Sequence, residues 1–195
     1  MAIEEKQLEQ IVKAVVEELN RYKQVSGQPG SKKNGTGVFE TVDEAVEAAW
    51  AAQKEFRKYS IEARERIIKA IKDEMAGYIE LISRMAVEET GMGRVEDKIK
   101  KNTLSLYKTP GTEDLKAEAF TGDDGLTLIE LSPFGVIGAI TPATNPSETV
   151  ICNSIGMIAA GNSVVFCSHP TAKKTSIKTI EIINEAIRKA GGPEN

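Results

Sequence analysis

"GVIGAITPATNPSETVICNSIGMIAAGNSVVFCSHP", Gly135 to Pro170, decides how this chain folds. Val136–Ile140 is a continuous apolar run, the pattern of a strand covered on both faces. It runs into "TPATNP", Thr141–Pro146, where two prolines bracket a single amide side chain, Asn145. A helix is expected from about Ser147 to Ala160, stopped by Gly161. Ser163–Cys167, "SVVFC", reads as a second, fully apolar strand. From about Thr175 to Ala190 the residues Ile177, Ile180, Ile183 and Ile187 recur at helical spacing, and Gly191 ends the run. Strand, helix, strand, helix with short turns is the grammar of a parallel βαβ sheet, so the fold class is α/β.

Upstream the chain is helical. Thr41 and Glu44 fit a capping box, opening a helix with Val42, Ala45, Val46, Ala49 and Phe56 on one side. Ser60 starts another, with Ile67, Ile68, Ile71 and Met75 as its apolar face and Gly77 as a bend or break. A third carries Ile79, Ile82, Met85 and Ala86 and stops at Gly91. "GRVEDKIKKN" predicts a fourth, ending near Asn102. Then the period changes: Asp123-Asp124-Gly125 signals a turn, followed by β-type residues Leu126–Leu131. At the other end, residues 3–20 form an amphipathic helical pattern on Leu8, Ile11, Val12, Val15 and Leu19. Ser26–Gly37, rich in Gly, Pro, Ser and Lys, reads as a flexible linker with nothing to bury. The domain organisation is therefore 1–21 amphipathic helix, 22–38 linker and 39–195 α/β body.

Composition narrows the function. The 195 residues carry a net charge of −4, which argues against a nucleic-acid partner, since that wants a basic face. No apolar run reaches the roughly 18 residues of a membrane span, and the charged N-terminus does not read as a secretory signal. Two cysteines, Cys152 and Cys167, make no disulfide framework and read as reduced, buried thiols of a cytoplasmic protein. No metal site is expected.

In open α/β sheets ligands bind beyond the carboxyl ends of the strands. Two loops occupy those ends: "TPATNPSE" and "SHPTAK". The first feeds a helix N-terminus, which favours negative charge. No G-x-G-x-x-G turn is present, so this pattern alone proves no dinucleotide site. Asn145 either caps and turns the chain before its helix or supplies a positioned donor. His169, the sole histidine, is either a ligand-binding or a polar loop residue. Lys173 and Lys174 solvate a helix start or reach a phosphate.

"EETGMGRVEDKIKKN", "TPGTEDL", "TGDDGLTLIELSPFGVIGAITPATNPSETVICNSIGMIAAGNSVVF" and "AGGPEN", in that order, resemble the aldehyde dehydrogenase superfamily. Within it they look like the coenzyme-A-acylating enzymes of ethanolamine and propanediol utilisation. The resemblance runs from about Thr41 to Asn195. It implies that a thiolate adds to an aldehyde, that NAD (or NADP) takes a hydride, and that coenzyme A as co-substrate takes the acyl group. It implies that Asn145 donates its side-chain NH₂ to the oxyanion of the first step. Thr141, Pro142, Ala143 and Thr144 would meet the nicotinamide half of the cofactor, largely through backbone. Many relatives have threonine at the position of Ala143. Many also carry a ribose-binding lysine near the position of Cys167, leaving Ser168, His169 and Pro170 as the ribose-side candidates. Residues 3–20 resemble an encapsulation peptide, which implies a shell-protein partner and the lumen of a bacterial microcompartment.

The chain also departs from the family. The family's nucleophilic cysteine lies well beyond the second βα unit, and neither Cys152 nor Cys167 takes its place. The expectation is an incomplete aldehyde dehydrogenase fold: a helical region followed by the first βαβα units of a Rossmann-like parallel sheet, an N-terminal portion inactive alone and homo-oligomeric when full length. The alternatives are a non-catalytic targeting or interaction fragment, or a non-acylating aldehyde dehydrogenase.

Overall fold

The computed structural model describes residues 37–194, so the readings made for the N-terminal helix and most of the linker lie outside the described residues. Gly37, at the linker's end, is half-buried. It sits at φ +69°, and a Cβ there would meet Asn184 Nδ2 at 2.8 Å, so this linker residue does pack against the body.

Four helices come first: α1 (Val42–Phe56), α2 (Ile61–Ala76), α3 (Ile79–Thr90) and α4 (Val95–Lys108). The Thr41–Glu44 capping box closes in both directions, and Ser60 Oγ caps α2 by accepting from the Ala63 N–H at 3.2 Å. Gly91 ends α3 in the left-handed region at φ +69°. Val42 departs from the predicted stripe: it is exposed, whereas Ala49 and Phe56 are buried as expected, together with Ala52 and Gln53. Helix α4 runs six residues past the expected Asn102. Its core face is Lys98, Asn102 and Leu106, and the two polar residues hide that face from an apolar pattern.

An antiparallel hairpin follows, β1 (Glu118–Gly122) and β2 (Gly125–Ile129), turning at Asp123-Asp124. The second strand was expected and the first was not. Every residue of the hairpin is exposed, so β1 lacks the buried alternation that marks a strand.

The parallel unit is β3 (Val136–Thr141), α5 (Pro146–Ala159), β4 (Ser163–Ser168) and α6 (Lys173–Lys189). The α/β class is present: helices first, then βαβα units with a parallel strand pair. The β3–β4 register pairs Ala139 with Phe166, Ile140 with Cys167 and Thr141 with Ser168. Paired residues of neighbouring strands share a face. On one face Ala139 is buried and Phe166 packs against the main core of Phe56, Ile67, Ile71, Met75, Ile151, Ile155 and Ile183. On the other, Ile140 is 86% exposed and Cys167 is exposed. The expectation of strands covered on both faces and of a buried Cys167 is thus corrected: among the described residues nothing covers the carboxyl end of that face.

The start of β3 is tied to the end of α5. Gly135 N donates to Asn162 Oδ1 at 2.9 Å and Gly135 O accepts from Ser163 N at 2.9 Å. Arg64 donates to the Ala159 carbonyl at 3.3 Å and Gln53 to the Gly161 carbonyl at 2.9 Å, satisfying acceptors that a helix end leaves open. In α6 the buried positions are Thr175, Ser176, Thr179, Ile182, Ile183, Asn184 and Ala186. The stripe is rotated from the predicted isoleucines, of which only Ile183 is fully buried.

Candidate functional site

Because Thr141 and Ser168 are partners in the ladder, the loops that follow them leave the sheet side by side. In the first loop Thr141 is 1% exposed, with its hydroxyl buried and lacking a partner. Pro142 and Thr144 are exposed and Ala143 half-buried, so the loop's accessible edge is formed by these residues and not by the Thr141 side chain.

Asn145 is the N-cap residue of α5, with Pro146 at the first helical position. Its backbone, φ −138° and ψ 61°, is not helical, as a following proline requires. It is not the extended conformation expected from that proline either, because the chain must turn into the helix at once. The side chain makes no capping bond. Instead Asn145 Oδ1 accepts from Lys101 Nζ at 3.2 Å. An ammonium only donates, so the amide atom facing it must be the oxygen. The NH₂ group remains to donate elsewhere.

Beneath this loop lies a buried ion pair. Lys98 Nζ stands 3.2 Å from Glu148 Oε1, with the two side chains 4% and 7% exposed. The same ammonium donates to the Thr144 carbonyl, and Ser147 Oγ donates to Glu148 Oε2 at 3.2 Å. Glu148 sits in the first turn of α5, where the helix dipole favours a carboxylate. Such a pair is stable when each partner's remaining lone pairs and protons are matched, and here most are.

The second loop is held by its own histidine. His169 Nδ1 accepts from the Thr171 N–H at 3.2 Å and lies 2.9 Å from Thr171 Oγ1, which assigns the ring proton to Nε2. Ser168 is half-buried; His169 and Pro170 are exposed. The N-terminus of α6 is taken by the protein itself. Glu89 accepts from the N–H groups of Lys174 and Thr175 and from Thr175 Oγ1, each at 2.7 Å. Burial pushes the Glu89 carboxyl up, but the Thr175 and Lys174 N–H donors, the Thr175 hydroxyl and the Lys174 charge together hold it below the ordinary value. Both helix N-termini at these strand ends therefore already carry a carboxylate from the chain.

Neither cysteine joins Asn145. Cys152 is half-buried, 3.1 Å from Thr109 Oγ1. It lies seven residues further along the chain, about 10 Å along α5 at 1.5 Å per residue. Cys167 lies on the sheet face opposite that of Thr141. Sequence reasoning had missed Lys98, Lys101, Glu148 and Glu89. The one available signal was the spacing of Lys98 and Lys101, which puts both on one face of α4.

The sequence profile described as the Aldehyde dehydrogenase family matches residues 3–195. The acetylating acetaldehyde dehydrogenase EutE of Salmonella typhimurium is 47% identical over 188 residues, 96% of this chain and 39% of that protein. A solved propionaldehyde dehydrogenase from the Clostridium phytofermentans fucose utilisation bacterial microcompartment superposes with a TM-score of 0.79 at 57% identity, covering 82% of this chain and 37% of that one. An engineered glycolyl-CoA reductase with bound NADP+ gives 0.80 at 55% identity, covering 83% and 37%. The chain thus spans well under half the length of the relatives it matches.

Proposed function

The chain belongs to the aldehyde dehydrogenase family, and from that premise we propose that residues 39–195 are part of the NAD-binding domain of a coenzyme-A-acylating enzyme. The reaction is aldehyde, coenzyme A and NAD to acyl-CoA and NADH. An acetylating relative and a CoA-thioester reductase among the similar structures support the acyl acceptor. In this reading Asn145 is the oxyanion donor. When a thiol adds to the aldehyde carbonyl, charge develops on oxygen, and a donor already aimed there stabilises it without reorganising. An amide suits because it keeps its protons at any working pH. The observation that carries this reading is the fixing of Asn145: its oxygen is held by Lys101, its NH₂ is left over, and it does not cap its own helix.

Pro142, Ala143 and Thr144 offer backbone edges on one loop, and Ser168, His169 and Pro170 offer polar and exposed groups on the other. These adjacent edges fit the two ends of NAD or NADP, with Thr141 contributing backbone only because its side chain is buried. The bound nicotinamide supplies hydride acceptance. In this reading the covalent cysteine is neither Cys152, which lies two turns along α5 beside Thr109, nor Cys167, which is on the opposite sheet face from Thr141.

Two measurements test this. The purified 195-residue chain is expected to show no aldehyde- and CoA-dependent NADH formation. In the longer polypeptide that completes the site, Asn145→Ala is expected to lower kcat by about 10²–10³, or 2.7–4 kcal/mol of barrier. Turnover by the short chain, or a silent Asn145→Ala, would defeat the reading.

Residues 1–21, joined by 22–38, are the targeting segment for a microcompartment shell protein in this proposal. The support is the helical pattern of 3–20 and the microcompartment source of one similar structure. A reporter fused to residues 1–24 should then collect in microcompartments; a diffuse signal in cells that make them counts against it.

A further inference from the structure

The stretch "EETGMGRVEDKIKKN" carried the family resemblance, and of its residues only Lys101 enters the chemistry above. The structure shows where its residues go. Gly91 and Gly93, at φ +69° and +79°, turn the chain sharply between α3 and α4. Helix α4 then presents Lys98 and Lys101 on successive turns to one loop, the loop of Asn145. The two lysines differ in kind. Lys101 is exposed and touches the Asn145 side chain; Lys98 is buried and touches the backbone around it.

Lys98 grips the chain on both sides of Asn145. Its ammonium donates to the Thr144 carbonyl, the peptide group that runs into Asn145, and pairs with Glu148, three residues beyond. Glu148 is further held by Ser147 Oγ. A turn through a proline-flanked cap has few internal hydrogen bonds of its own, and one buried cation supplies the missing anchor points. Because the pair is buried, its geometry is not shared with water and is specific.

We propose that Lys98 is a positioning residue: through Thr144 and Glu148 it fixes the place of Asn145, so that the amide donates where the oxyanion forms. This rests on the reading of Asn145 as the oxyanion donor. A misplacement of about 1 Å at a reacting group costs up to about 100-fold in rate. Lys98→Met alone strands a buried carboxylate and is expected to unfold part of the protein, so the informative variant is Lys98→Met with Glu148→Met, which removes both charges and keeps the volume.

The first measurement is NMR of the ¹⁵N-labelled 195-residue chain, following the backbone and side-chain amides of Asn145. The double variant is expected to keep the dispersed spectrum of α2 and α5 while the Asn145 signals shift or broaden; unchanged Asn145 signals overturn the proposal. If the double variant fails to fold, Lys98→Arg takes its place: the charge stays, the larger planar head cannot occupy the buried site of the ammonium without shifting the loop, and the same Asn145 signals must move. The second measurement is kinetics in the completed enzyme. The double variant is expected to lower kcat about 10- to 100-fold with aldehyde KM changed less than about threefold, and adding Asn145→Ala to cost little more, because the two changes remove one function. Multiplicative losses overturn the proposal. If Asn145→Ala alone leaves kcat intact, the oxyanion reading fails, whereas the NMR result still decides whether Lys98 positions Asn145.

Discussion

Lys101 Nζ donates to Asn145 Oδ1 across 3.2 Å, from one helix to the cap residue of another. Asparagine at an N-cap ordinarily turns that oxygen to its own helix. The lysine has taken the oxygen away, and the capping role with it.

Removing the lysine should give the cap back. In Lys101→Met, Asn145 Oδ1 is free to accept from the first N–H groups of α5. Amide hydrogen exchange at Ser147 and Glu148 is expected to slow relative to the parent. Global stability should move by no more than about 0.5 kcal/mol, since Lys101 is exposed. Under the proposed function kcat falls while the fold is unchanged, a split that calorimetry and steady-state kinetics read separately.

Glu89 joins α3 to the start of α6. Glu89→Ala should cost about 0.5–2 kcal/mol, the range for a lost helix cap, measured by urea denaturation at neutral pH. The pH dependence has a definite sign. The folded carboxyl is held below its ordinary value, so its contribution is complete above the unfolded value of about 4.3. It is lost as pH falls through the lower folded value. The stability of the parent should therefore fall more steeply below about pH 4.3 than that of Glu89→Gln.

Gly161 sits at φ +80° with the Arg64 guanidinium where a Cβ would go, 2.8 Å away. Gly161→Ala combines left-handed strain with displacement of Arg64 from the Ala159 carbonyl and from the face of Phe56, 5.9 Å from its ring centroid. The strain alone is worth about 1–3 kcal/mol. Thermal unfolding of the purified variant should show a clear drop in Tm.

The two thiols should be distinguishable. Cys167 is exposed, whereas Cys152 is half-buried beside Thr109. Brief treatment of the folded chain with a thiol reagent, followed by peptide mass mapping, should find label on Cys167 first. Labelling in denaturant should find both.

What could be read without coordinates was local or periodic. The Thr41–Glu44 box and the Ser60 cap each close within three residues, a distance at which composition dictates geometry. Gly91 could be placed because a left-handed helix stop suits few other residues. The parallel βαβ order followed from two apolar runs separated by a helix. The errors share another cause. The sequence pattern of α4 breaks at Asn102 because that residue, on its core face, is polar. Its partner is Ser83, nineteen residues away, which accepts from Asn102 Nδ2 at 2.9 Å. The buried face of α6 is hidden from an apolar pattern because Thr175 and Thr179 are buried with their hydroxyls bonded to Glu89 and to the Thr175 carbonyl.

The sequence by itself determined the α/β class, the order of its helices and parallel strands, the two strand-end loops and, through an ordered set of motifs, the family. Those features depend on neighbours in the chain. Only the tertiary structure decided that Lys98 is buried, that Lys101 holds the oxygen of Asn145 and that Glu89 fills the start of α6. Each of those pairs a charge or an amide with a partner more than forty residues distant. A lysine in a charged helix looks solvated until the fold places a carboxylate and a carbonyl against it.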